Sequence, residues 1–222
     1  MRIYNSLTDK LEEFKPIREG KVSMYVCGPT VYNYVHIGNM RPAITFDMVR
    51  NYLEYLGYEV TYASNFTDIN PKIIKAAEEL GITEREVANK FIAAYLKDLE
   101  DYQCGKIDIH PTVLENLDNI YTFIQKLIEK GYAYEVDGDV YFRVNKIKDY
   151  GCLSNNTLDE LESGARLEID EKKEDPLDFA LWRKSIEGEH FTSPWGEGIP
   201  GWHTECVVMI NDIFDDGRID IH

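Results

Sequence analysis

What this 222-residue sequence lacks narrows it first. No apolar run reaches the roughly 18 residues that span a bilayer, and the opening Met1-Arg2-Ile3-Tyr4-Asn5-Ser6 is too polar for a secretory leader. A cytoplasmic protein with no membrane partner is expected. The four cysteines, Cys27, Cys104, Cys152 and Cys206, form no Cys-x-x-Cys pair. That argues against a disulfide framework and leaves reduced thiols, or ligands gathered by folding. Internal repeats and low-complexity tracts are absent. Basic charge is scarce: 24 Lys and Arg face 40 Asp and Glu, a net charge of −16. A nucleic-acid binder ordinarily carries a basic face, so any such contact here is local or lies outside these residues. The length permits a sizeable core, so one main domain with an insertion is expected.

What is present begins with Val22-Ser23-Met24-Tyr25-Val26, an apolar run that reads as a buried strand. It leads through Cys27-Gly28-Pro29-Thr30 and on to His36-Ile37-Gly38-Asn39, with a helical pattern expected from near Met40. Ile44, Met48, Val49, Tyr52, Leu53 and Leu56 recur at helical spacing, Pro42 falls in the expected first turn, and Gly57 ends the pattern. Tyr58 to Ala63 reads as a second strand. Together these predict a βαβ unit with a parallel sheet and a right-handed crossover. Asn65-Phe66-Thr67-Asp68-Ile69 then lies at the carboxyl end of the second strand, where such sheets bind ligands. Residues 84–102 and 112–130 are predicted helical. Tyr132 to Val136 and Asp139 to Val144 flank Asp137-Gly138, a hairpin signal. Leu158 to Asp178 is acidic and expected to be exposed.

Each candidate has two readings. His36, Gly38 and Asn39 at a strand–loop–helix junction could meet phosphate, because the first helical N–H groups are unpaired and the helix dipole is positive there. Equally, Asn39 could be an N-cap and Gly38 a turn glycine. Cys27 and Cys206 could be buried small hydrophobes or metal ligands, with His203 and Glu205 beside the second thiol. Trp195 and Trp202 could be core or pocket wall. Thr67 and Asp68 could cap a helix that begins near Pro71.

The series Cys27 to Asn39, Asn65 to Ile69, Asp175 to Trp182, Ser193-Pro194-Trp195-Gly196 and Gly201-Trp202-His203-x-Glu205-Cys206 resembles the cysteinyl-tRNA synthetases, in order and approximate spacing from about residue 20 to the end. Tyr150-Gly151-x-Leu153-Ser154 and Gly164-Ala165-Arg166 fit as well. The resemblance implies an α/β fold: a class I synthetase Rossmann-like parallel sheet with an inserted α+β connective domain. It implies activation of L-cysteine with ATP and Mg2+ to cysteinyl-adenylate and transfer to tRNA(Cys), by a monomer. It places zinc on Cys27 and Cys206, and ATP at Pro29, Thr30, His36, Gly38 and Asn39, with His36 and Asn39 catalytic. It places the substrate cysteine at Gly28, Thr30, Thr67 and Trp202.

Residues 1–117 are expected to form the first part of the catalytic domain, 118–190 the insertion and 191–222 the return. The family's two further zinc ligands, its Lys-Met-Ser-Lys-Ser loop and its anticodon-binding region do not occur in this sequence. Asn39 stands for the signature's second histidine, and Asn70-Pro71 for an acidic pair. The chain is therefore expected to be the N-terminal catalytic part of a longer enzyme, and inactive in aminoacylation by itself. Two alternatives remain: the cysteine ligase of mycothiol synthesis, and a non-catalytic synthetase-like protein that binds cysteine.

Overall fold

A computed structural model of the chain describes residues 1–105, 107–154, 171–214 and 217–222. The chain divides into two compact units. One consists of Met1–Lys15, Tyr121–Ser185 and Thr192–Trp202, the other of Pro16–Ile120, Ile186–Phe191 and His203–His222. The first unit thus takes in two segments, Met1–Lys15 and Thr192–Trp202, that sequence alone groups with the catalytic part.

The second unit is built on the expected βαβ motif. Strand β3 (Lys21–Tyr25) pairs in parallel with β4 (Glu59–Ala63), with Ser23 opposite Thr61. Single parallel bridges extend the sheet on both sides, Ala63 with Ile109 and Met24 with Ile221. Val22, Met24, Tyr25, Tyr62 and Ala63 are buried, as a sheet with its apolar side chains in the core requires. Between the strands runs α1 (Ile37–Tyr55). It begins at Ile37, three residues before the expected start, so Pro42 lies inside the helix and the N–H that would bond to the Gly38 carbonyl is missing.

The buried face of α1 also differs from expectation. Met40, Ala43 and Leu53 are buried, whereas Ile44, Met48, Tyr52 and Leu56 are exposed. The four share an i, i+4 row. The row through residues 40, 43, 47, 50 and 53 turns inward instead and carries Asp47, which accepts from Gly105 N–H, and Arg50, which pairs with Asp108 at 3.4 Å. Apolar spacing identified a helix but not which row faces inward.

Helix α2 (Pro71–Leu80) starts on Asn70, whose Oδ1 accepts from Lys72 N–H at 3.0 Å. The cap is therefore Asn70, not Thr67 or Asp68. Asp68 instead accepts from the N–H groups of Val113 and Leu114 at 2.8 and 3.3 Å and pairs with Arg85 at 2.7 Å. Those two bonds fix the turn before a 3-10 segment, Leu114–Asn116, which shortens the predicted second helix to α4 (Leu117–Glu129). Helix α3 (Glu84–Asp101) opens with a Thr83/Glu86 capping box. Helix α5 (Thr204–Ile213) completes the unit.

In the first unit β1 (Arg2–Asn5) and β2 (Lys10–Glu13) form an antiparallel pair. β5 (Ala133–Val136), β6 (Asp139–Phe142), β7 (Phe179–Lys184), β8 (Phe191–Ser193) and β9 (Gly196–Pro200) form a sheet in the order β5-β6-β7-β9-β8. The predicted Asp137-Gly138 hairpin is present, with Val136 opposite Asp139 and positive φ at both turn residues. Asp178, expected on an exposed acidic segment, is buried. It accepts from Tyr134 Oη–H at 2.8 Å and Val144 N–H at 3.0 Å, which ties the hairpin to β7. Residues 155–170, with Gly164-Ala165-Arg166, lie outside the described residues.

Candidate active site

The two strands of the βαβ unit stay joined beyond their ends. Val26 N–H donates to Ala63 O at 3.0 Å, Thr67 N–H to Pro29 O at 3.1 Å and Val31 N–H to Thr67 O at 3.2 Å. Thr30 and Thr67 thus lie side by side as a parallel bridge, with Thr67 buried. One buried side chain holds this junction. Asn65 Oδ1 accepts from Gly28 N–H at 3.0 Å, and its Nδ2 donates to Thr67 Oγ1 at 3.3 Å. Asn65 was not among the predicted site residues. Nothing in the sequence signals that role beyond its place in the Asn65 to Ile69 segment that follows the second strand.

Gly28 is required here. A Cβ on it would stand 1.7 Å from Asn65 O. Gly28→Ala is expected to destabilise the protein by about 1–3 kcal/mol, the usual cost of overpacking, and to slow any reaction at the junction. Urea unfolding checks this; a midpoint equal to wild type would show that the loop yields freely.

At the other side of this loop, His36 caps α1. Its Nδ1 accepts from Gly38 N–H at 3.0 Å, while Asn39 Oδ1 accepts from His36 N–H at 3.2 Å, a reciprocal box. The alternative that made Asn39 the N-cap does not hold: Asn39 occupies N3, and the histidine is the cap. This hydrogen bond assigns the tautomer: Nδ1 is the acceptor, so the neutral ring carries its proton on Nε2. Gly38 is explained by the same contact, since a Cβ there would lie 2.8 Å from His36 Cε1. A cleft of about 190 Å³ runs between Cys27-Gly28-Pro29 and Gly38-Asn39.

The thiols meet on the same unit. Cys27, solvent-accessible, and Cys206, buried, lie with their Sγ atoms 3.4 Å apart. His203 Nδ1 lies 4.0 Å from Cys206 Sγ, and the ligand atoms of Cys27, His203 and Cys206 are all within 4.8 Å of one another. His203 precedes α5 with φ +68, a left-handed conformation uncommon outside glycine. Such a conformation at a potential ligand makes His203 a candidate functional residue. The hydrogen bond from Cys206 holds the Cys27 thiol below its ordinary pKa, while the same bond and burial push Cys206 up. The pair thus gives up one proton readily and the second only against its neighbour's charge. Burial lowers His203, with help from His222, so the ring stays neutral and able to donate a lone pair.

Glu205 is buried beside these thiols, and its Oε2 has no hydrogen-bond partner among the described residues. Burial pushes its pKa to about 7. Because the folded state holds that proton more tightly than the unfolded chain, stability falls as pH rises from about 4.5 to 7 and is constant above. The span corresponds to on the order of 3 kcal/mol. Glu205→Gln is expected to flatten this dependence and to raise stability at pH 8 relative to wild type. Urea titrations of the metal-free chain at pH 5 and pH 8 test it; a pH dependence unchanged by the substitution would assign it elsewhere. Trp202 belongs to the other unit, where it ends the chain segment before His203 and is 69% exposed.

The parallel sheet, the capped start of α1 and the thiol cluster at the start of α5 together define the candidate site. The model of the family described as "tRNA synthetases class I (C) catalytic domain" matches residues 13–222, and the chain belongs to that family. Curated relatives agree. The cysteine–tRNA ligases of Anoxybacillus flavithermus and Geobacillus thermodenitrificans are each 58% identical over 223 aligned positions, covering 100% of this chain and 48% of theirs. The chain therefore spans about half the length of the curated relatives it matches. Among solved structures, a Campylobacter jejuni protein described as an arginyl-tRNA synthetase superposes with a TM-score of 0.53 at 15% identity, covering 90% of this chain and 46% of that one. That likeness supports the α/β fold. No described helix is long and apolar enough to cross a membrane.

Proposed function

We propose that this chain carries the adenylation site of a cysteine–tRNA ligase. It would join L-cysteine to ATP, with Mg2+, release pyrophosphate, and pass the cysteinyl group to tRNA(Cys), as a cytoplasmic monomer. The observation that carries the reading is the approach of Cys27 and Cys206 to 3.4 Å across 179 sequence positions, at the end of the strand that leads to the His36 cap.

In this reading the carboxylate of cysteine attacks the α-phosphorus of ATP and pyrophosphate leaves. Such a step needs positioning and charge stabilisation more than a protein nucleophile. His36 Nε2–H meets the phosphates, with Asn39 holding the His36 backbone in place; Pro29 and Thr30 line the nucleotide side. Gly28, Thr30 and Thr67 hold the amino acid, oriented by Asn65.

The donor set Cys27, Cys206 and His203 is that of a zinc centre with room for a further ligand. The Cys206 hydrogen bond eases loss of the Cys27 proton and burial favours the neutral His203 ring, both in the direction a metal needs. Zinc bound there supplies a soft acceptor that selects a thiolate over a hydroxyl of nearly equal size. A cavity shaped only for size separates such close analogues by about 1–3 kcal/mol. Cysteine-dependent ATP–pyrophosphate exchange, compared with serine, tests the reading on the protein that carries this chain. Charging of tRNA supports it. Charging of glucosaminyl-inositol instead would point to the mycothiol ligase, and no exchange to a non-catalytic protein.

A further inference from the structure

One cleft is unlike the rest of this acidic molecule. It lies in the same unit as the thiols but apart from the residues assigned above, between the 32–34 loop, α2 and α3, and measures about 430 Å³. Three lysines line it, Lys72, Lys75 and Lys90, against a single carboxylate, Glu79. Only Lys75 meets that carboxylate, at 3.9 Å; Lys72 and Lys90 have no carboxylate partner among the described residues. Lys72 and Lys90 lie instead over the rings of Tyr32 and Phe91, at 5.1 and 5.2 Å; in a chain of net charge −16 such a concentration of positive charge works against the long-range field.

The walls are aromatic. Tyr34 stands edge-on to Phe91 with centroids 5.2 Å apart and is 66% exposed, and Tyr32, 37% exposed, lies under the Lys72 ammonium at 5.1 Å. Exposed rings cost hydrophobic free energy unless something covers them. Lys72 and Lys75 are one turn apart on α2, so their ammonium groups project along one side. Aromatic faces beside a row of cations are the two components of sequence-tolerant binding to single-stranded nucleic acid: bases stack on the rings and phosphates meet the lysines. A duplex hides its base faces and would use only the charge.

We propose that this cleft binds a single-stranded RNA segment, with a base against Tyr34 and phosphates on Lys72, Lys75 and Lys90. This rests on the proposed function in one respect, that the protein's acceptor is an RNA. The cleft then holds part of the strand, and it lies in the chain next to the loop that presents His36. It also accounts for how a strongly acidic chain meets a polyanion: the contact is local, and the rings supply affinity that salt does not screen.

The test is direct binding of a fluorescent single-stranded RNA hexamer to this chain across a range of salt. Lys72→Gln with Lys75→Gln is expected to weaken binding about tenfold or more at low salt and to lower the slope of log K against log salt by about 0.7 for each phosphate that no longer meets a lysine. Tyr34→Ala is expected to weaken it about tenfold with the slope unchanged. Lys97→Gln, exposed on α3 but outside the cleft, should change nothing. Equal weakening in Lys97→Gln, or none in the cleft variants, overturns the proposal. AMP binding as tightly as the hexamer through the same residues would make this a free-nucleotide site and overturn the strand. Polyglutamate competing as well as RNA would overturn the base contact. Cysteine-dependent pyrophosphate exchange requires no RNA, so its absence in the wild-type protein would defeat the proposed function while leaving this result standing.

Discussion

Cys27→Ser is expected to remove zinc from the protein and to abolish cysteine-dependent ATP–pyrophosphate exchange. The side chain is accessible and small, so the exchange of sulfur for oxygen costs the fold little. Its chemistry changes completely. Cys27 is the member of the thiol pair whose proton comes off first, because Cys206 donates a hydrogen bond to its sulfur. A serine hydroxyl has no accessible anion at neutral pH, so the donor set falls from two thiols and an imidazole to one of each. Removal of a mere outer partner of a metal site costs about 10–100-fold, so loss of a direct ligand should cost more. Metal content by mass spectrometry and the exchange rate are read on the same preparation, with thermal unfolding as a control. Normal zinc with normal exchange would sink the assignment of Cys27 as a ligand.

The second large effect concerns His36. His36→Ala is expected to slow adenylate formation by about a hundredfold or more, the usual cost of deleting one donor to developing charge. It should also cost about 1 kcal/mol of stability, because the ring caps α1 through Nδ1. The two roles separate in His36→Asn. Asparagine is among the best N-caps, so the helix end is kept, yet no donor stands where Nε2–H was. His36→Asn is therefore expected to unfold like wild type and react like the alanine variant, with zinc content and cysteine affinity intact. A wild-type rate in His36→Asn would show that the ring serves only the helix.

Much of the framework was legible because it is local. The apolar runs that became β3 and β4, the periodic stripe of α4, the Asp137-Gly138 turn and the loop from Cys27 to Asn39 each report on a few neighbouring residues, and each element formed within a few residues of its expected bounds. The strand–loop–helix junction drew attention to the loop that borders the cleft between Gly28 and Asn39, because a parallel sheet places its ligand loops at the carboxyl ends of its strands. The resemblance to a synthetase family rested on these same segments, and the family match over residues 13–222 bears it out.

What the sequence by itself determined, then, is the order and kind of elements, the family, and the loop proposed for the chemistry. Tertiary structure alone decided the rest. Ile44, Met48, Tyr52 and Leu56 have the spacing of a buried stripe, but the inner row of α1 is the one through Met40, Ala43 and Leu53; periodicity measures amphipathicity along one helix, not what packs against it. Asn39 looked like the cap, but the cap is His36, because the choice depends on which residue leaves helical φ/ψ, at φ −106 and ψ 171. Asn65, silent in its own surroundings, becomes the bridge between Gly28 and Thr67. The two thiols, 179 positions apart, are brought to 3.4 Å, with a left-handed His203 beside them. No spacing rule reaches across such a separation, since those contacts form only when the whole core closes around them.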